Sequence, residues 1–178
     1  MKTGFYFAIV LPWVLTLAGC ASSSGVVTRT QPMTNSKAVS LDLILVVTTS
    51  PLPDIETEKI LLNGLVITGL KETQLFTAVN GGEPGVHPGD GIKVGIAVKA
   101  INKVSSNARL WFGGLAGQAW VQAQVMVSDL SSGRLIEAFT AEGKSGGSAK
   151  AGTTDEAVQR AAEQVVAEVV RLNAQTAQ

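Results

Sequence analysis

The sequence predicts an α+β domain: a two-layer sandwich whose mostly antiparallel or mixed sheet of about five strands carries two helices on one face. Several segments alternate apolar and polar residues, which is the period of a strand with one buried face. Other segments carry apolar residues at helical spacing. The predicted order is β-α-β-β-β-β-α, which lets the helices share one face and leaves the other, partly polar, open to water or a partner.

The strand predictions depend on this alternation. A short strand is also expected over 74–79, and another over 134–141 whose facing the sequence leaves ambiguous. Gln118, Trp120, Gln122, Gln124 and Met126 form the outer row of the strand 118–129. The residues predicted to face the core are Val39, Leu41, Leu43, Leu45 and Val47; Ile92, Val94, Ile96, Val98 and Ala100; and Ala119, Val121, Ala123, Val125 and Val127.

Each helix has sequence signals at its ends. The first is predicted from Asp54, a possible N-cap, to about Thr68, with Gly69 ending it. The last opens with Thr153 and Glu156, which have the spacing of a capping box. Core residues are expected at Ile55, Leu62, Leu65 and Val66 in the first helix, and at Val158, Ala162, Val165, Val169 and Leu172 in the last.

Composition limits the classes of function. The chain has 178 residues, of which 46% are hydrophobic and 16% charged, so one globular domain with a real core is expected. Its 14 basic and 14 acidic residues balance. A nucleic-acid partner is therefore not expected, because phosphate binding needs a basic excess.

The N-terminus has the features of a secretory signal peptide over 1–19. Lys2 precedes a largely apolar run, 4–18, whose helical length of roughly 22 Å falls short of the ~30 Å hydrocarbon core. The segment ends in Leu17-Ala18-Gly19-Cys20, which resembles the lipobox of bacterial lipoproteins. The resemblance implies cleavage before Cys20, a diacylglycerol thioether on its sulfur and acylation of the new amine with fatty acids such as palmitate. The alternative is a buried cysteine in an uncleaved helix.

The same resemblance implies a location. Ala21, in place of aspartate after the cysteine, favours the outer membrane over the inner one, on the periplasmic side. Residues 20–38 are rich in Ser and Thr without apolar periodicity, so they are predicted to be the acylated Cys and a flexible tether. A single domain is expected over 39–178.

Candidate catalytic or metal-binding residues are few. The glycine-rich stretch 109–117 precedes a strand and not a helix, so a connection between strands is expected there in preference to a phosphate loop. His87 is the only histidine and lies in a Gly- and Pro-rich loop with Glu83 and Asp90. No nucleophile–base pair or metal set is indicated. The sequence predicts no enzyme, no metal and no cofactor.

Aromatic residues are concentrated around one strand. Trp111, Phe112 and Trp120 lie close together in the sequence, and Trp120 belongs to the outer row with Gln122. Exposed tryptophan often anchors an interface, although packing under a loop is an equal alternative here. We take Trp111, Phe112, Trp120 and Gln122 as candidate partner contacts.

The segment 108–139 resembles the core of a bacterial lipoprotein family, domain of unknown function 4410. The shared features are an Arg (Arg109), a Gly-rich turn (113–117), an alternating strand and an Asp-x-x-Ser/Thr-Gly turn (129–133). The resemblance implies no activity.

The leading hypothesis is a lipid-anchored, noncatalytic binding or assembly component of the cell envelope. The alternatives are a small-ligand or lipid-binding domain with a pocket lined by residues such as Leu43, Val98 and Val125, and a hydrolase using His87 and Asp90. The sequence does not determine the partner or the oligomeric state.

Overall fold

The protein is described from a computed structural model, which covers residues 24–31, 43–82, 90–104, 107, 117–146 and 152–176. The elements in chain order are β1 (Ser24–Gln31), β2 (Leu43–Thr49), α1 (Glu56–Glu72), β3 (Ala78–Gly81), β4 (Gly91–Asn102), β5 (Trp120–Asp129), β6 (Leu135–Lys144) and α2 (Thr154–Thr176). Across these residues no helix combines the length and apolarity needed to cross a bilayer.

The strands form one mixed sheet in the order β1-β6-β5-β4-β2-β3. The β1, β6, β5 and β4 strands pair antiparallel in turn, whereas β2 pairs parallel with both β4 and β3. The two helices pack on each other and against one face of the sheet. This confirms the predicted α+β sandwich, and the described residues contribute six strands to the sheet where about five were predicted.

The two longest predicted strands have the expected facing. Alternate residues of β4, from Ile92 to Val98, are buried in the core beneath the helices. The same is true of alternate residues of β5, from Val121 to Val127, and of Ala119 just before that strand. Ala100 is the exception, because a bulge between Val98 and Ala100 shifts the alternation. Ile101 packs against the core in its place.

The predicted facing of β2 is wrong. Ile44 and Val46 join the core, and the Thr48 hydroxyl donates to Asn63 Oδ1 of α1 at 2.9 Å, so the even-numbered residues face the helices. Leu45 is also buried, on the opposite face. A strand between two parallel neighbours carries apolar residues on both faces, so the polar positions did not mark the outside.

The first helix starts and ends later than predicted. Asp54 lies before it at φ 56°, and Ile55 occupies the N-cap position without a capping side chain. The helix continues through Gly69, which was expected to end it. A methyl group on Gly69 would lie 2.9 Å from Val166 Cγ2, so this glycine permits close packing between the helices.

The last helix has the predicted apolar face. Val158, Ala162, Val165, Val169 and Leu172 are all buried. One half of the capping box is present, since Thr153 Oγ1 accepts the Glu156 amide at 3.3 Å. The Glu156 carboxylate accepts the Gly146 amide at 3.2 Å.

Residues 24–31 are a strand, although a tether was predicted over 20–38. Strand β1 has few apolar residues, so its sequence does not show the pattern of a half-buried strand. Among its residues only Val27 packs against the core. Its place in the sheet comes from backbone pairing with β6, where Ser24 lies opposite Lys144 and Val27 opposite Ala141. The folded domain therefore begins closer to Cys20 than the composition indicates.

The predicted turn after β5 is confirmed. Asp129 Oδ1 accepts the Ser132 amide at 2.7 Å and both serine hydroxyls, from Ser131 and Ser132, at 2.7 and 2.8 Å. Gly133 follows at φ 68°. The hydrogen bonds from Ser131 and Ser132 lower the pKa of Asp129 to about 2.

Two glycine substitutions should change stability in opposite directions. In Gly143→Ala the new methyl group would overlap the Ala157 carbonyl oxygen and the Ala161 amide nitrogen of α2, so we expect a loss of about 1–3 kcal/mol. In Gly64→Ala the methyl group meets nothing within 4 Å. Because Gly64 lies inside α1, this matched change should stabilise by up to about 1 kcal/mol. Urea unfolding measures both, and equal effects would contradict the packing.

Candidate functional site

The open face of the sheet lies opposite the helices. Its centre is the outer row of β5, continued on β1 by Val26 and on β6 by Thr140 and Glu142. Three of its apolar side chains are well exposed: Trp120 at 38%, Met126 at 47% and Val26 at 47%. We call this surface the open face, and its mixture of exposed apolar and amide side chains suits contact with another protein.

Gln122 is fixed within this face. Its Nε2 donates to Glu142 Oε1 at 2.7 Å, and the two residues lie opposite each other in the β5–β6 register. The amide and carboxylate keep further hydrogen-bonding capacity for a partner. Trp120 and Gln122, both predicted as contacts, are thus brought onto one surface.

Five other candidate positions lie outside the described residues. These are Cys20, Glu83, His87, Trp111 and Phe112. Asp90 is described and exposed. In the part of the chain that the structure covers, no group of three or more His, Cys, Asp or Glu residues is arranged to hold a metal ion.

A cavity of about 490 Å³ lies beside Trp120 at the end of the sheet. The segment 52–55 forms one wall, and Lys99, Ala100, Ile101 and Lys103 of β4 and the residues after it form another. Two of the residues expected to line an internal pocket, Val98 and Val125, are fully buried in the core and do not border this cavity. Leu43 belongs to the opposite face of β2.

A charge cluster with two buried carboxylates joins β1, β6 and α2. Glu137 of β6 is 1% exposed, and its Oε2 accepts from Arg171 Nη2 at 2.6 Å. Arg29 of β1 donates through Nε and Nη2 to both oxygens of Glu168, at 2.7 and 3.4 Å, and its Nε lies 3.5 Å from Glu137 Oε1. Arg171 Nε lies 2.9 Å from Glu168 Oε1. Two guanidinium groups thus neutralise two carboxylates at this junction.

The pKa of Glu137 reflects its position. Burial raises the pKa above its usual value and Glu168 adds to the increase, while Arg171 and Arg29 oppose it. Sequence reasoning missed this cluster because its members are far apart in the chain. The signal available was a glutamate in the middle of the apolar segment 135–139, which made the facing of that strand ambiguous.

Comparisons with known proteins bear on the fold. No protein-family model and no curated protein matches the chain. Among solved structures, the PelC dodecamer from Paraburkholderia phytofirmans is similar, with a TM-score of 0.52 and 15% sequence identity over 84% of this chain and 96% of that one. Protein XCC0632 from Xanthomonas campestris, assigned to DUF330, has a TM-score of 0.49 and 16% identity over 84% and 94%.

These findings define a class at the level of fold. The chain is an α+β protein with one open sheet face, and PelC from P. phytofirmans has a similar fold. At 15% identity the similarity extends to the fold alone.

The charge cluster yields a stability prediction. Arg171→Met leaves the buried Glu137 without its closest cation while Arg29 remains 3.5 Å away, and we expect a loss of about 1.5–3 kcal/mol near neutral pH. With only Arg29, 3.5 Å away, left to oppose the effect of burial, the Glu137 carboxylate takes up a proton more readily in the folded state, so its folded pKa rises further. The free energy of unfolding of the variant then falls as the pH rises above the ordinary glutamate pKa of about 4.3. The difference between variant and wild type becomes smaller in acid.

The control is the same substitution elsewhere on the helix. Arg160 pairs with Glu163 at 2.8 Å on the exposed side of α2, so Arg160→Met should cost less than about 1 kcal/mol at any pH. Urea unfolding over a pH series measures both variants. A pH-independent deficit for Arg171→Met would contradict the loss of charge compensation at the buried Glu137.

Proposed function

We propose that this protein is a noncatalytic lipoprotein of the cell envelope, attached through Cys20 to the periplasmic side of the outer membrane, and that its open face binds a protein partner. The observation that carries the proposal is the sequence from the apolar run through Leu17-Ala18-Gly19-Cys20, followed within a few residues by a folded domain at Ser24. The resemblance of 108–139 to the lipoprotein family of domain of unknown function 4410 supports it.

The open face supports the binding role. It keeps Trp120, Met126 and Val26 in solvent although the helices bury the opposite face of the same sheet. Exposed large apolar side chains, tryptophan in particular, are typical of interfaces. A protein of similar fold, PelC from P. phytofirmans, was crystallised as a dodecamer. We therefore propose that the partner bound by the open face is a second copy of this chain.

Acylation is tested by mass spectrometry of the membrane-extracted protein. We expect an N-terminal Cys20 carrying a diacylglycerol thioether and an amide-linked acyl chain, and palmitate labelling that Cys20→Ala abolishes. A form in which an ordinary cleavable signal replaces 1–20 should appear in the soluble periplasmic fraction. An unmodified Cys20, or palmitate labelling that persists in Cys20→Ala, would contradict the anchor.

Self-assembly is tested on the acylated protein in detergent, by native mass spectrometry over a concentration series. Met126→Lys puts a charge into the open face and should weaken association about tenfold or more, since a desolvated unpaired charge is costly. Gln159→Lys, an exposed position on α2, should leave association unchanged. A wild-type protein that stays monomeric, or equal effects of the two variants, would contradict a self-binding open face.

A further inference from the structure

The register of the sheet shows where the chain leaves the folded domain. Ser24 lies opposite Lys144, Lys144 opposite Trp120, and Trp120 opposite Asn102. With neighbouring strands about 4.8 Å apart, this row is about 14 Å wide. Because β1 runs inward from Ser24, the chain before Ser24 leaves the sheet at this row. We call this edge of the domain the N-terminal end.

The N-terminal end is close to Cys20 along the chain. Four residues span at most about 14 Å even when fully extended. The opposite end of the sheet is marked by the turn at Asp129, nine residues along β5 from Trp120. That distance is about 30 Å in a strand. If Cys20 is acylated, the N-terminal end is therefore held at the bilayer, while nothing in the covalent geometry holds the opposite end there.

The side chains at the N-terminal end suit a phospholipid surface. Trp120 lies partly exposed beside the cavity whose walls include Leu52, Pro53 and Ile101. Indole rings concentrate at the level of the headgroups, where one part of the ring is wet and the rest apolar. The cavity thus offers a tryptophan and aliphatic side chains on one surface.

Two lysines at this end are available for phosphate groups. Lys99 borders the cavity and Lys144 lies in the row beside Trp120; both are exposed, and within the described residues neither pairs with a carboxylate. Lys103 is engaged in the fold, because its Nζ contacts Glu58 Oε1 at 2.7 Å. Asp54 is exposed on the cavity wall formed by 52–55, whereas the other exposed acids near this end, Glu56 and Asp155, belong to the first turns of the helices and so to the other layer.

We propose that the N-terminal end is a membrane-contact surface, with Trp120 at the headgroup level of the bilayer and Lys99 and Lys144 on the phosphates of anionic phospholipids. This inference rests on the proposed lipid anchor and adds the orientation of the domain to it. It also divides the open face: Trp120 contacts lipid, whereas Gln122 and Met126 remain available to a protein partner. Each lysine near an anionic surface is expected to strengthen membrane binding about fivefold.

The test uses the acylated protein in vesicles of phosphatidylcholine and phosphatidylglycerol whose acyl chains carry bromine, which quenches nearby indoles. The signal peptide contains Trp13, so the mature chain has Trp111 and Trp120, and Trp111→Phe leaves Trp120 as the only indole. We expect its emission to fall by about half, as an interfacial indole requires. The matched control is the triple variant W111F/W120F/S131W, whose single indole lies in the turn at the opposite end and should keep its emission.

A second pair of measurements tests the lysines. In Lys99→Gln/Lys144→Gln on the W111F background, removing phosphatidylglycerol should no longer change the quenching of Trp120. Equal quenching at positions 120 and 131, no quenching at 120, or an unchanged dependence on phosphatidylglycerol in the lysine variant would overturn the orientation.

Flotation of the same samples with the vesicles separates this inference from the anchor. Protein that floats but gives one of the contrary quenching results retains its anchor and loses the proposed orientation. Protein that does not float overturns both.

Discussion

The close approach of α2 to the sheet is the constraint on which the rest of the domain depends. Gly143 of β6 leaves room for the backbone of α2 at Ala157 and Ala161, and both alanines are fully buried. Farther along the same helix, Glu168 and Arg171 reach the cluster with Glu137 and Arg29. A larger residue at the contact would move the helix away from the sheet and weaken both the apolar layer and the charge cluster.

The charge cluster explains how a strand with few apolar residues keeps its place. Strand β1 contributes Val27 to the core and otherwise depends on its backbone pairing with β6 and on the contacts of Arg29 with two carboxylates. Because Glu137 is shielded from water, its attraction to the two arginines is stronger than that of an exposed pair. Removing one of the arginines destabilises the fold, since it leaves a buried charge with less compensation. The position of β1 in turn determines the end of the sheet from which the N-terminal segment departs.

Much of the fold could be predicted from the sequence because periodicity is a local signal. The alternation in β4 and β5 and the apolar positions of α2 follow directly from one buried face per element. Elements whose surroundings depend on distant parts of the chain were harder to predict. The β2 strand is apolar on both faces because it lies between parallel neighbours, and Gly69 continues α1 because Val166 packs against it.

The candidate site could be predicted in part for the same reason. Trp120 and Gln122 were expected on the outer row of β5, since alternation alone fixes which face they occupy. The pairing of Gln122 with Glu142 requires the β5–β6 register, and the cluster around Glu137 requires the position of a helix that starts well after it. No spacing within a single segment encodes such contacts, so the sequence offered only an ambiguous strand where the cluster lies.

The place of β1 at the edge of the sheet also has a consequence for the order of events as the protein is made. Residues 24–31 are among the first to be synthesised, but their neighbour β6 and the carboxylates that bind Arg29 belong to the C-terminal third of the chain. The first strand in the sequence can therefore join the sheet only after β6 has been made, and Arg29 gains its contact with Glu168 only once the last helix follows. Until β6 is available, residues 24–31 have no partner strand in the sheet.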